Sequence, residues 1–214
     1  MSILTPGEIK MKKTFIAIEG PIGVGKSSLT KKLAEALNYT VEFEIVDENP
    51  YLSDFYDDIS KWSFQTEMFF LCHRYKQLTD LENINGIVSD YHIFKNKIFA
   101  KNTLNDTEFD KFSRIYDILT EDIRMPDQII FLDATLEVLQ QRIAHRNRSY
   151  ETQIENDYLA QLRTDYHHFY EEVKHEIDAI QIDTSDLDFV NNTTDYQHVL
   201  NLLQPLIGEK KHDK

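Results

Sequence analysis

Short apolar runs alternate along this chain with longer stretches in which apolar residues recur every three or four positions. Residues 14–19, Thr-Phe-Ile-Ala-Ile-Glu, read as a buried strand, and from Lys26 onward Leu29, Leu33 and Leu37 keep helical spacing until Asn38 stops the run. Residues 41–46 and 86–89 predict the next two strands, and Trp62, Phe69, Cys72 and Leu78 between them mark a pair of aromatic-rich helices. Phe109, Phe112, Tyr116 and Leu119 outline another amphipathic helix that ends before Met125-Pro126-Asp127; residues 128–132 then predict a fourth strand, with a helix from Thr135. A polar, arginine-bearing stretch from Arg142 to Glu151 leads into a long helix, residues 179–182 give a fifth strand, and residues 195–206 a final helix. Strands alternating with helices imply an α/β fold with a parallel sheet covered on both faces. No repeat or Gly/Pro-rich linker divides residues 11–208, which read as one domain. Residues 1–10 read as a flexible extension, with Met11 an alternative start, and the charged residues 209–214 as a frayed tail.

Composition narrows the function. A chain of 214 residues can bury one full core. Its net charge of −14 argues against a nucleic-acid polymer as partner, because such binders neutralise phosphates with clustered Lys and Arg. The single cysteine, Cys72, builds neither a disulfide framework nor a cysteine-rich zinc site, and its apolar surroundings predict a buried helix face. No apolar run is long enough to span a bilayer, and the first ten residues lack the hydrophobic segment of a signal peptide, so the expected location is the cytoplasm.

The most informative segment is Gly20-Pro21-Ile22-Gly23-Val24-Gly25-Lys26-Ser27, followed by Ser28, which lies between the first strand and the first helix. Glycine, four residues and Gly-Lys-Ser in that context form a phosphate-binding loop. The glycines let backbone N–H groups turn toward phosphate oxygens at a helix N-terminus; the lysine reaches the β and γ phosphates, and the serine hydroxyl ligates magnesium. The loop alone does not separate kinases from motor ATPases, GTPases or regulators. No Asn-Lys-x-Asp run of GTPases occurs.

In an open parallel sheet, ligands sit beyond the carboxyl ends of the strands, so acidic residues there are candidates for the chemistry. Glu44, Asp90 and Asp133 qualify. Asp90 could hold a magnesium-bound water opposite Ser27 or accept a proton. Asp133 also reads as a helix N-cap through Ala134-Thr135. Glu44 could orient and deprotonate an acceptor hydroxyl, although loose phosphoryl-transfer transition states require positioning more than basicity.

With these residues in place the sequence resembles the deoxyribonucleoside kinase family, and within it the bacterial deoxyguanosine and deoxyadenosine kinases. The similarity rests on residues 20–27, Glu44-Ile45-Val46 leading to Asn49-Pro50-Tyr51-Leu52, Trp62-Ser63-Phe64 through Arg74, Ser89-Asp90-Tyr91-His92, and Arg142, Arg146-Asn147-Arg148 and Glu151. The resemblance implies a phosphate-loop kinase fold with a five-stranded parallel sheet, flanking helices and an arginine-rich lid. The implied reaction moves the γ-phosphoryl of ATP, with Mg2+, to the 5′-hydroxyl of a deoxynucleoside, in a homodimer built on helices of the residue 62–81 kind. Glu44 matches the glutamate that contacts the 5′-hydroxyl and serves as general-base candidate. Tyr56 and Glu151 match the pair on the sugar 3′-hydroxyl, Phe99 the aromatic that stacks on the base, and Trp62 and Met68 match pocket-lining positions. Arg142, Arg146 and Arg148 match lid arginines that close on the phosphates.

Departures from the family pattern sharpen the reading. Where the family has a base-reading glutamine before the arginine matched by Arg74, this chain has Glu67. An amide suits adenine's 6-amino group and N1, whereas a carboxylate only accepts, which suits guanine's N1–H and 2-amino donors. Glu67 therefore points to deoxyguanosine. The family's Asp/Glu-Arg-Ser is here Asp90-Tyr91-His92, which removes a positive charge near the transferring phosphate. The stretch from Asp90 to Phe99 is one residue short, so that Asn96 is matched to the family's base-reading aspartate. Three alternatives remain at this point: a deoxyadenosine or broad-specificity deoxynucleoside kinase; a nucleoside monophosphate kinase, which the acidic Glu44 region disfavours; and a non-catalytic nucleotide-binding regulator, which Tyr91 favours.

Overall fold

The computed structural model describes residues 14–148, 151 and 154–207. The proposed extension at 1–10, the tail at 209–214 and part of the arginine-bearing stretch lie outside these residues. Five strands form one wholly parallel sheet in the order β2 (Thr40–Glu42), β3 (Ile87–Ser89), β1 (Phe15–Glu19), β4 (Gln128–Asp133) and β5 (Asp178–Asp183). Strand β1 lies centrally, with Ala17 registered against Ser89 on one side and Ile129 on the other. All carboxyl ends therefore open on one edge, where such sheets bind ligands.

Helices cover both faces because the central strands are apolar on both. On one face Ile16, Ile18, Ile130 and Leu132 pack under α1 (Lys26–Leu37), α6 (Leu136–Arg146) and α8 (Thr193–Ile207). On the other, Phe15, Ala17 and Ile87 meet α3 (Ile59–Asp80) and α5 (Asp106–Thr120), while Ile129 and Phe131 meet α7 (Asn156–Val173). Between α1 and α3 runs the short helix α2 (Leu52–Asp57), and after β3 comes α4 (Lys95–Thr103).

Four features differ from the expectations. The strand expected over 41–46 pairs only as far as Glu42, so Glu44 projects past the sheet edge. Helix α4 has no clean apolar stripe, since Lys95 and Asn96 are buried within it, and its period is masked. Cys72 is exposed, on the face of α3 turned away from the sheet. Asp133 is neither a cap nor part of the strand-end site. The cap is Thr135, whose hydroxyl accepts from Val138 N, while Asp133 accepts two hydrogen bonds from Arg163 at 2.8 and 2.7 Å and lies 3.0 Å from His167 Nε2. Among the described residues no helix is long and apolar enough to cross a membrane.

Candidate active site

At the carboxyl edge of the sheet a cavity of about 960 Å³ opens beside the phosphate-binding loop. That volume suits two small substrates meeting end to end. The loop's backbone depends on its glycines. Gly25, the N-cap of α1, has φ 104°, and a Cβ there would meet Phe189 Cζ at 2.7 Å. Only glycine adopts that conformation in that space without strain. Lys26 folds back so that its Nζ donates to the carbonyls of Gly20 (2.8 Å) and Pro21 (3.0 Å). Burial, reinforced by the charge of Lys95, lowers its pKa to about 8. Residues 22–28 line the cavity, while Gly20 and Pro21 shape the loop from behind.

A chain of side chains runs from this loop along the cavity. Ser27 Oγ donates a short hydrogen bond to Asp90 Oδ2, and Asp90 Oδ1 accepts from the backbone N–H of Glu44 at 2.8 Å. Glu44 in turn meets two cations. Arg74 donates Nε to Oε1 at 2.9 Å with Nη2 also in contact, and Lys95 donates Nζ to Oε2 at 2.8 Å. Burial pushes the Glu44 carboxyl up, but Arg74 and Lys95 overcome it and hold the group well below the usual carboxylate range. For Asp90 burial prevails and the pKa is raised. Glu19, the last residue of β1, accepts from His92 N at 2.7 Å and Tyr166 Oη at 3.3 Å, and burial raises it to about 7 against the pull of Lys95.

At the far end of the cavity α3 presents Thr66, Glu67, Phe70 and Arg74 along one face, with Phe99 of α4, Tyr56 of α2 and Tyr158 of α7 around them. Glu67 is 2 % exposed and burial raises its pKa to about 7, although Arg74 and Lys95 pull the other way. Its Oε2 and Arg74 Nη1 are both buried without a hydrogen-bond partner. Orphaned buried polar atoms of this kind cost about 1–3 kcal/mol each, which a ligand bearing complementary groups would recover.

The three matched arginines also reach the cavity, in different states. Arg142 is committed to the scaffold: its guanidinium donates to Val24 O (3.3 Å), Thr184 Oγ1 (2.9 Å), Thr184 O (2.7 Å) and Leu187 O (3.0 Å), tying the phosphate loop to the segment after β5. Arg146 pairs with Glu151 through Nε at 3.0 Å, and Arg148 lies 3.7 Å from the same carboxylate. Glu151 is buried while both arginines are about a third exposed.

Four matched residues fall outside the cavity lining. Tyr91 is fully buried among Phe15, Leu71, Ile87 and Ile93, and its hydroxyl reaches only Glu42 at 3.4 Å. Leaving the strand end beside Asp90, it turns to the opposite side of the chain, as alternation along extended backbone requires. Asn96 is buried with both amide atoms unpartnered; the helical period puts Lys95, one turn before Phe99, on the cavity side instead. Trp62 stacks on Tyr51 at 5.9 Å, and Met68 lies with Phe64, Gln65 and Cys72 in a shallow groove on the outer face of α3. Conversely, Lys95, Glu19, Phe70, Tyr158 and the segment 187–191 were not foreseen. Glu19 carried a usable signal, since it ends the central strand directly before Gly20.

Comparison with known proteins agrees with this geometry. The family model described as deoxynucleoside kinase matches residues 16–208. A deoxyguanosine kinase of Bacillus subtilis is 43 % identical over 201 residues, covering 90 % of this chain and 97 % of the relative. A deoxyadenosine kinase of Dictyostelium discoideum is 35 % identical over 190 residues, 85 % of this chain and 78 % of the relative. Among solved structures, deoxyadenosine kinase from M. mycoides with the products dCMP and dCDP superposes with a TM-score of 0.79 at 28 % identity, over 90 % of this chain and 100 % of that one. The same enzyme with dATP bound gives the same TM-score over 89 % and 99 %. A match through nearly the whole chain, a shared sheet and a two-ended cavity on its carboxyl edge lead to one conclusion: the chain belongs to the deoxynucleoside kinase family, ATP-dependent phosphotransferases that act on deoxynucleosides.

Proposed function

We propose that this kinase phosphorylates the 5′-hydroxyl of a purine deoxynucleoside, deoxyguanosine before deoxyadenosine. The observation that carries the base preference is the charged pair among the orphaned atoms of the cavity wall, Glu67 Oε2 and Arg74 Nη1. Glu67 Oε2 can only accept when ionised, and Arg74 Nη1 can only donate. Guanine offers the reverse order along one edge: N1–H and the 2-amino group as donors, O6 as acceptor. Adenine offers a 6-amino donor and an N1 acceptor, which leaves a carboxylate facing a lone pair. Phe99 stacks on the base, and Tyr56 with Glu151 holds the 3′-hydroxyl.

Chemistry follows from the other end. Glu44 accepts the proton of the 5′-hydroxyl as the O5′–Pγ bond forms; the bond from Pγ to the bridging oxygen breaks, and its electron pair leaves with the nucleoside diphosphate. A carboxylate held far below the ordinary range is a weak base, so its main contribution is orientation. Ser27 and Asp90 present a hydroxyl and a carboxylate side by side at the loop, a hard-oxygen set that would hold Mg2+, whose charge would offset that of the phosphates. Arg146 and Arg148 close on the phosphates after exchanging Glu151 for them, and Arg142 keeps the loop in register. We place the enzyme in the cytoplasm as a homodimer joined along α3.

The test is a substrate panel with pure protein, labelled ATP and Mg2+. Label on deoxyguanosine monophosphate above all others is expected. Label passing only to nucleoside monophosphates, or nucleotide binding without turnover, would reject the reading.

A further inference from the structure

Lys95 is costly where it stands. An ammonium only 4 % exposed is desolvated. It sits in the first turn of α4, where the helix dipole disfavours a cation. It is also near enough to Lys26 that its charge helps to lower that lysine's affinity for protons. Positions that break several local rules at once concentrate at functional sites. Neutralising Glu44 does not explain it, because Arg74 already contacts that carboxylate through two nitrogens.

The explanation comes from the second duty of Arg74. Both of its nitrogens on Glu44 go to one oxygen, Oε1, and its Nη1 is buried and unpartnered in the cavity wall, where it can serve the base. Tyr91, directly after Asp90, sends its side chain into the core and supplies no charge. Lys95 holds the other oxygen, Oε2, at 2.8 Å, and so fixes the carboxylate's second point.

We propose that Lys95 is the positioning residue for Glu44: it holds Oε2 so that the carboxylate stays aimed at the acceptor hydroxyl while Arg74 also serves the base. The inference rests on the assignment of Glu44 as proton acceptor. The proton moves only from O5′ to Glu44, and the electron pair leaves with the diphosphate as described above.

The experiment compares Lys95→Met, Lys95→Arg, Glu44→Gln and the double variant Lys95→Met/Glu44→Gln, using kcat and the KM for ATP with deoxyguanosine as acceptor. Lys95→Met is expected to lower kcat about 10²-fold, with KM for ATP changed less than about threefold. Lys95→Arg should recover at least about tenfold of that loss, and the double variant should fall no more than about threefold below Glu44→Gln, as for residues acting through one another. Near-normal turnover of Lys95→Met, no recovery in Lys95→Arg, or independent losses in the double variant would overturn the proposal. If Lys95→Met does not fold, Lys95→Gln takes its place under the same criteria. Unimpaired Glu44→Gln would instead remove the assignment of Glu44 itself, whatever Lys95 does.

Discussion

Replacing Glu67 by glutamine tests the base assignment most directly. The carboxylate lies at the closed end of the cavity, 2 % exposed, with one oxygen unpartnered. Against guanine it accepts from two donors; an amide accepts from one and turns an N–H toward the other. One unmatched buried donor costs about 1–3 kcal/mol, so the ratio of kcat/KM for deoxyguanosine over deoxyadenosine should fall roughly 5- to 150-fold. The parent enzyme carries the same switch in its titration. Burial raises the Glu67 carboxyl to about 7, and once protonated it presents a donor and an acceptor, as an amide does. Its deoxyguanosine preference should therefore decline between pH 8 and pH 6, while that of Glu67→Gln stays flat. Stability gives an independent check with a definite sign. A carboxyl whose folded pKa exceeds its unfolded one contributes stability that is complete below the unfolded value, 4.5, and lost as pH rises through about 7. Ionising it in the fold costs on the order of 3 kcal/mol. Glu67→Gln should therefore melt above the parent at pH 8 by several degrees, with the gap closing toward pH 5. The assays are competitive turnover with both nucleosides and thermal unfolding across that range. A selectivity ratio within twofold of the parent would remove Glu67 from the base site.

Glu44→Gln should lower kcat about 10²- to 10⁴-fold while ATP affinity, measured by equilibrium binding, changes less than about threefold. Gly25→Ala should lose ATP binding at least about tenfold, because φ 104° and the 2.7 Å approach to Phe189 distort the loop; unchanged affinity would contradict the strain argument. Tyr91→Phe should keep kcat within about twofold and stability within about 1 kcal/mol, since the hydroxyl makes only a 3.4 Å contact with Glu42 in the core. A large kinetic loss there would return Tyr91 to the site.

The sheet was legible because its strands are short apolar runs closed by turn residues, and the loop because residues 20–27 have few other uses. Residues placed by chain direction beyond a strand end, such as Glu44 and Asp90, could be read in the same way. What failed depended on which side of a helix or strand a residue faces. Met68 is one position from Glu67, and 100° of helical rotation sends it to the outer groove. Asn96 and Lys95 differ likewise, and the burial of both hid α4 from any search for an apolar stripe. Lys95 left no trace in composition, because a buried lysine looks like a surface lysine until its neighbours are known. Asp133 was misread because Thr135 caps the helix two residues later, leaving the carboxylate to Arg163 and His167.

The carboxylate of Asp90 is shared between two owners, the hydroxyl of Ser27 and the backbone N–H of Glu44. A side chain this short acts as a caliper. Its two oxygens are held at a fixed separation, so the position of Ser27 in the phosphate loop and that of the Glu44 backbone are tied to each other. The two segments are remote in sequence, yet one short side chain sets their spacing. Lengthening that group by a single methylene, with every charge retained, would detune the gap that phosphoryl transfer has to cross.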